Sequence, residues 1–408
     1  MDAAFQPTLD WISTQRARMI GLTEQWSAIN SGSYHLEGIR AMRDALKSEF
    51  AVLGGQADLL PVAPLSQIDK KGQEKTIPIA EALRITKRPE ANFQILLVGH
   101  MDTVFGPDHA FQTPRYVSES VINGPGVADL KGGLAVMLLA LQAFEASPFA
   151  EHIGWQILLN PDEEIGSISS DPLLKRAALG KQLGLVYEPS LADGTMAGAR
   201  KGSGNFSITV RGRAAHAGRS PEEGRNAIVA AAEITQQLYA LNGKWPGVTV
   251  NPGHVEGGGA LNVVPDLAIL RFNIRTQETA NEPLILNEIQ KIIEVVHSRE
   301  GYQASLHGRF TRSPKPMHPR NQQLFEFVQE CGRELGQTIA VKPSGGCCDG
   351  NNLWKYGLPN VDTLGVRGAN IHSDQEIIHL DSLTERAQLS ALLLMKLARG
   401  DLALLPQP

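Results

Sequence analysis

Cysteine is scarce in this 408-residue chain: there are three, two of them the adjacent Cys347 and Cys348, too few for the disulfide framework of a secreted domain. A reducing cytoplasm is therefore the expected compartment. Basic charge is also not in excess, with 38 Lys and Arg against 43 Asp and Glu, a formal net charge of -5. That balance argues against a general nucleic-acid binder. No uninterrupted apolar run reaches the ~18 residues of a membrane span, so no membrane partner is expected. Residues 1–30 lack the basic-then-apolar layout of a signal peptide; Trp11, Ile12, Met19, Ile20, Leu22 and Trp26 recur instead at near-helical spacing. One amphipathic helix is expected there. Internal repeats and low-complexity tracts are missing as well, which leaves an ordinary globular composition with 42% hydrophobic residues.

The length exceeds what one hydrophobic core usually organises, so two domains are expected. Residues 34–50 carry Leu36, Ile39, Met42, Leu46 and Phe50 on one helical face, and residues 51–88 read as strands and turns. Residues 93–98 form an almost unbroken apolar run, the pattern of a central strand covered on both faces. A loop punctuated by Pro107, Pro114, Gly124, Pro125 and Gly126 follows, then a helix over 134–144 and strands over 155–159 and 183–187. From residue 202 the texture changes to strand, helix, strand, strand, helix, strand, ending near 310. Two helices on one face of a four-stranded antiparallel sheet suit that order. The segment 202–312 thus interrupts an α/β body made of 1–201 and 313–408, in which 361–366 is a strand and 383–398 the last helix.

Chemistry gathers at the strand ends. His100 and Asp102 lie two apart, so in extended backbone they project to one side, as a ligating imidazole and its orienting carboxylate would. Taken alone, a strand-end histidine such as His100 is more often hydrogen-bonded than metal-bound. Asp129 begins a helix within a glycine-rich turn, where it can cap the helix or ligate a metal. Asp162, Glu163 and Glu164 are three consecutive acids after a strand, which repel unless a cation or shared proton offsets them; a solvated acidic turn is the alternative. Glu163 and Glu164 project differently, so one can ligate while the other handles a proton. Glu188 ends a third strand, and His372 lies in a polar loop after a fourth. In parallel α/β sheets, sites collect at the carboxyl ends of strands. Two His and the acids would be used completely by two zinc ions sharing a carboxylate, and this mixed donor set favours zinc or cobalt over calcium or magnesium.

These residues resemble a family: the dizinc metallopeptidases that include glutamate carboxypeptidase, acetylornithine deacetylase, succinyl-diaminopimelate desuccinylase and aminoacylase. The resemblance rests on Gly99-His100-Met101-Asp102-Thr103, on Gly124-Pro125-Gly126-Val127-Ala128-Asp129-Leu130-Lys131-Gly132-Gly133 and on Pro161-Asp162-Glu163-Glu164-Ile165-Gly166. It continues through Glu188-Pro189, Ala215-His216-Ala217-Gly218, Asn262-Val263-Val264-Pro265 and His372-Ser373-Asp374, nearly the whole chain in order. The fold it implies is α/β, a zinc-peptidase-like mixed sheet flanked by helices, with an inserted ferredoxin-like α+β lid and dimerisation domain.

The resemblance further implies Asp129 as bridging ligand, His100 and Glu188 on one zinc, and Glu164 and His372 on the other, with cobalt or manganese as substitutes. It makes Glu163 the general base toward a metal-bridging water and Asp102 the carboxylate behind His100. His216 would reach across a homodimer interface to the partner's site, while Asn262, Arg275 and the glycine-rich loop with Gly345 and Gly346 would hold a substrate carboxylate. The Cys347 and Cys348 pair departs from the Ser or Thr common in relatives and is taken as a small pocket wall. The implied activity is hydrolysis of the amide bond of N-acyl amino acids or peptides with a free α-carboxylate, nearest the glutamate carboxypeptidase branch. The alternatives are an acetylornithine deacetylase or desuccinylase type of deacylase and, more remotely, a non-enzymatic interaction module, which degenerate ligands would signal.

Overall fold

The computed structural model describes residues 2–405. Its organising element is the strand Phe93–His100, buried along nearly its whole length. Ile95 and Leu97 face one apolar core while Leu96 and Val98 face another, so the apolar run is explained by cover on both sides. The six-stranded sheet runs in the order Gln56–Leu60, Ala82–Lys87, Ile153–Asn160, Phe93–His100, Leu183–Val186, Asn360–Val361. Its last four strands are parallel and its first two pair antiparallel, which makes it a mixed sheet.

The larger core is built around the helix Gly132–Glu145, apolar on every side and therefore buried by its neighbours. The run Val127–Glu145 has the length and composition of a membrane span, yet it is enclosed by the Arg16–Ser27 and Asp381–Arg399 helices and serves as the core helix. On the other face, Asp171–Ala178 and Asp349–Lys355 cover Leu96, Val98 and Leu158.

A separate core belongs to the four-stranded antiparallel sheet Thr249–Gly257, Leu267–Thr276, Gly202–Arg211, Gln303–Arg312, in that spatial order. Alternation along each strand drives the layering: Phe206, Ile208, Val210, Leu270, Phe272 and Ile274 pack beneath the helices Ala227–Tyr239 and Asn281–His297. Ser203, Asn205, Ser207, Arg271, Asn273 and Arg275 fall at the alternate positions, on the face without helices. A hairpin of Leu65–Ile68 and Glu74–Ile77 lies toward that face, with Arg271 Nη2 donating to the Ile68 carbonyl at 3.0 Å.

Three local expectations need correction. The N-terminal segment forms two helices, Gln6–Thr14 and Arg16–Ser27. At the join, the Thr14 hydroxyl donates to the Trp11 carbonyl at 2.7 Å and Gln15 leaves the helical region, so side-chain bonding competes with the helix ladder. The expected strand over 361–366 stops after Asn360–Val361 because Asp362 is held by Arg200 and Lys315, and Thr363 adopts φ 65°. The segment expected to be loop contains Arg115–Ser118 and Val121–Asn123, which join Ile377–His379 and Gly368–Ala369 in a small antiparallel sheet. Its pairing partners lie some 250 residues away in sequence, so no local pattern announced it.

Candidate metal centre

Adjacent parallel strands deliver the site. His100 ends the central strand, Glu163 and Glu164 follow Ile153–Asn160, Glu188 follows Leu183–Val186, and Asp129 precedes the core helix. Asp129 stands between two imidazoles: its Oδ1 lies 3.1 Å from His100 Nε2 and its Oδ2 3.2 Å from His372 Nε2. Glu188 Oε1 is 3.9 Å from His100 Nε2, and Glu164 Oε2 is 3.0 Å from His372 Nε2. Two triads result, His100 with Asp129 and Glu188, and Asp129 with Glu164 and His372.

The electrostatics of this cluster are those of a cation site. Burial, reinforced by Asp129, pushes the Glu164 carboxyl up to about 8, and burial with Asp129 and Glu163 nearby raises Glu188 well above the ordinary range. Burial works against charge on His100, but hydrogen bonds to Asp102 and Asp129 outweigh it and raise its pKa. Asp129 and Glu164 likewise raise His372 to about 11. Glu188 Oε1 is buried without a hydrogen-bond partner. Crowded carboxylates, two imidazoles aimed at them and one orphaned oxygen are the donor set that a pair of divalent cations would satisfy.

Supporting groups fix these donors. His100 Nδ1 faces the Asp102 carbonyl at 3.0 Å, with the Asp102 carboxylate at 3.4 Å. That carboxylate accepts the backbone N–H groups of Glu163 and Glu164, both at 3.1 Å, and the Ser33 hydroxyl at 2.7 Å, so it positions the acidic pair as well as the imidazole. Glu163 Oε1 is bound by Arg312 Nη2 at 2.6 Å; burial raises Glu163 to about 7 despite that guanidinium. Glu376, buried, accepts the N–H groups of Gly126, Ala128 and Asp129 and so wires the His372 loop to the Asp129 turn. Neither Arg312 nor Glu376 stood out in the sequence. The polar loop of Glu376 was visible, but the partners of neither residue were.

A cavity of about 650 Å³ opens beside the cluster and is lined by Arg275, Gly345, Gly346, Cys347 and Cys348. Arg275 Nη1 donates to Cys347 Sγ at 3.0 Å, whereas Cys348 caps the Asp349–Lys355 helix. His216 and Asn262 are not brought to this cavity. They share an exposed loop pair, with the Ala217 N–H donating to the Asn262 carbonyl at 2.9 Å.

Fold and site together define a metal-dependent hydrolase. The peptidase dimerisation domain model of the M20 group matches residues 198–300. Succinyl-diaminopimelate desuccinylase of Halorhodospira halophila is 31% identical over 322 residues, covering 74% of this chain and 82% of that one. Carboxypeptidase G2 of a Pseudomonas species is 25% identical over 401 residues, covering 95% of this chain and 91% of its own length. A tripeptidase structure from Staphylococcus aureus superposes with a TM-score of 0.74 at 25% identity, over 94% of this chain and 99% of that one. The chain belongs to the M20 metallopeptidase family, whose members act as peptidases and deacylases.

Proposed function

We propose that this enzyme is a zinc-dependent, carboxypeptidase-like hydrolase of N-acyl amino acids or peptides with a free α-carboxylate. The carrying observation is Asp129 shared by two His-carboxylate triads beside a cavity that contains Arg275. His100, Asp129 and Glu188 would hold one ion, and Asp129, Glu164 and His372 the other, with cobalt or manganese as substitutes. When bound, such ions polarise the scissile carbonyl and make water more acidic.

The remaining work falls to the chain itself. Glu163, outside both triads and raised to about 7, takes the proton of the attacking water and returns it to the leaving nitrogen. Arg275 meets the substrate α-carboxylate with its planar fork, and Gly345 and Gly346 leave backbone room for the same group. Asp102 keeps Glu163 and Glu164 in position through their amides. In a homodimer, His216 donates to the carbonyl oxygen as charge develops on it in the partner's site. Asn262 travels with His216, since the two loops are hydrogen-bonded together. The reading divides the chain into a hydrolytic domain of residues 1–201 and 313–408 and a lid and dimerisation domain of 202–312. A cytoplasmic location goes with its three free cysteines.

A deacylase of desuccinylase type is the second reading, favoured by the 31% identity to succinyl-diaminopimelate desuccinylase. Turnover of acyl-glutamates, acyl-aspartates, acetylornithine, succinyl-diaminopimelate and dipeptides by zinc-loaded protein separates the two. Cleavage centred on acyl-acidic amino acids is expected, with Glu163→Ala slower by roughly 10²–10⁴-fold. Full activity of that variant would remove Glu163 from the mechanism, and preference for a diamino-acid substrate would promote the second reading.

A further inference from the structure

The helix-free face of the small-domain sheet is polar in ordered rows. Register sets Arg275, Ser203 and Arg312 side by side across three strands. One pleat further, Asn251, Asn273, Asn205 and Arg309 are neighbours across all four. Same-face residues are two apart along regular strands, which separates the rows by about 7 Å, and a bulge between Phe310 and Arg312 keeps Arg309 and Arg312 in adjacent rows although they are three apart. The first row is already engaged, because Arg312 grips Glu163 and Arg275 lines the metal cavity. Hydrolysis makes no use of the second.

That second row lines its own cavity of about 1070 Å³, closed on the far side by the Leu65–Ile68 and Glu74–Ile77 hairpin. The hairpin is tied to the sheet by Arg211 Nη2 on the Lys71 carbonyl and Arg271 Nη2 on the Ile68 carbonyl, both 3.0 Å. Glu164, Asn205 and Thr311 belong to the walls of both cavities, so the second opens from the metal centre. Arg275 Nε donates to Asn273 Oδ1 at 2.9 Å, and Asn273 Nδ2 donates to Asn205 Oδ1 at 2.7 Å, which links the inner amides to the first row. The side chains at the two ends, Asn251 and Arg309, form no hydrogen bond or ion pair among the described residues. Amides offer both donors and acceptors, and a guanidinium offers a forked anion site.

We infer that this cavity is the acyl-side subsite and that it takes an extended, peptide-like acyl group bearing an anionic substituent within reach of Arg309. The inference rests on the amide-hydrolase reading and specifies its substrate class. Backbone-like carbonyls and N–H groups of the acyl chain meet the asparagine row, and the distal carboxylate meets Arg309. An acetyl group is too short to touch either.

The test compares acetyl-glutamate, acetyl-alanyl-glutamate and succinyl-alanyl-glutamate with zinc-loaded enzyme. The succinylated substrate should exceed acetyl-glutamate in kcat/KM by at least tenfold, and Arg309→Ala should bring it down to the level of acetyl-alanyl-glutamate, with partial rescue by Arg309→Lys. No advantage of the longer substrates, or an undiminished advantage of the succinylated one in Arg309→Ala, would overturn the inference while leaving the hydrolase reading intact. Absence of cleavage across all three would count against the hydrolase reading instead. Calorimetric titration of succinyl-alanyl-glutamate into Glu163→Ala, with and without Arg309→Ala, then decides the subsite: tenfold weaker binding in the double variant supports it, and equal binding overturns it.

Discussion

The two halves of the candidate metal centre share Asp129 but are built from different material. His100 and Glu188 stand at the ends of adjacent parallel strands, and His100 has no exposed side-chain surface. Glu164 and His372 sit on loops, and the His372 side chain is 51% exposed. The backbone at His372 is left-handed, at φ 63°, in the turn between Gly368–Ala369 and Ile377–His379. One half is therefore positioned by sheet register, which the core enforces; the other depends on a loop that must be held in place.

The largest contrast should appear when each imidazole is removed. In His100→Ala, buried Asp129 and Glu188 lose the counter-charge between them, at a cost of about 3–5 kcal/mol in the metal-free protein. In His372→Ala the lost imidazole is half-exposed, so water already screens its pairing with buried Asp129 and Glu164, and the cost should be smaller, about 1 kcal/mol. Denaturant midpoints of the two metal-free variants measure the difference. Both should lose zinc-dependent turnover, so activity alone does not separate them. Equal stability losses would break the distinction between a core-built half and a loop-built half.

What the sequence disclosed follows the same division. The strand-end residues were legible because continuous apolar runs identify buried strands: His100 ends one, Glu163 and Glu164 follow a second, and Glu188 follows a third. Asp129 was legible from its glycine-rich turn before an apolar helix. His216 and Asn262 came only through family resemblance, and within one chain they remain apart from the metal cavity. Glu376 was present in a noted polar loop, but its role depends on that loop folding onto a turn 247 residues earlier. Arg312 reads as a strand-end charge until the strand's register carries it to Glu163. The break at Gln15 escaped because a helical apolar stripe does not register where a side chain competes for backbone bonds.

Glu376 sharpens the comparison, since it is the tie between the loop-built half and the rest. Its carboxylate accepts three backbone N–H groups around Asp129, while Asn123 Nδ2 donates to the Asp374 and Glu376 carbonyls at 3.0 and 2.7 Å. Glu376→Gln offers one acceptor oxygen where two now serve, so the turn and the His372 loop should lose their mutual alignment. Outlying groups that orient ligands are commonly worth 10–100-fold in metal affinity, and a loss in that range is expected here. Competition titration with a zinc chelator measures it. Unchanged affinity would mean that the His372 loop is held by its sheet pairing alone.

The smallest expected effect is kinetic and needs no substitution. Exposed His372 leaves the Asp129, Glu164 and His372 triad open to solvent and chelator, whereas His100 and Glu188 are buried donors at strand ends. Zinc loaded to two equivalents should therefore leave in two phases, the faster one separated from the slower by several-fold, and turnover should fall with the first. A fluorescent zinc indicator in stopped flow, sampled in parallel for residual hydrolysis, reads both quantities. A single phase would show that Asp129, shared by both triads, couples the halves so tightly that exposure of one imidazole no longer sets the order of loss.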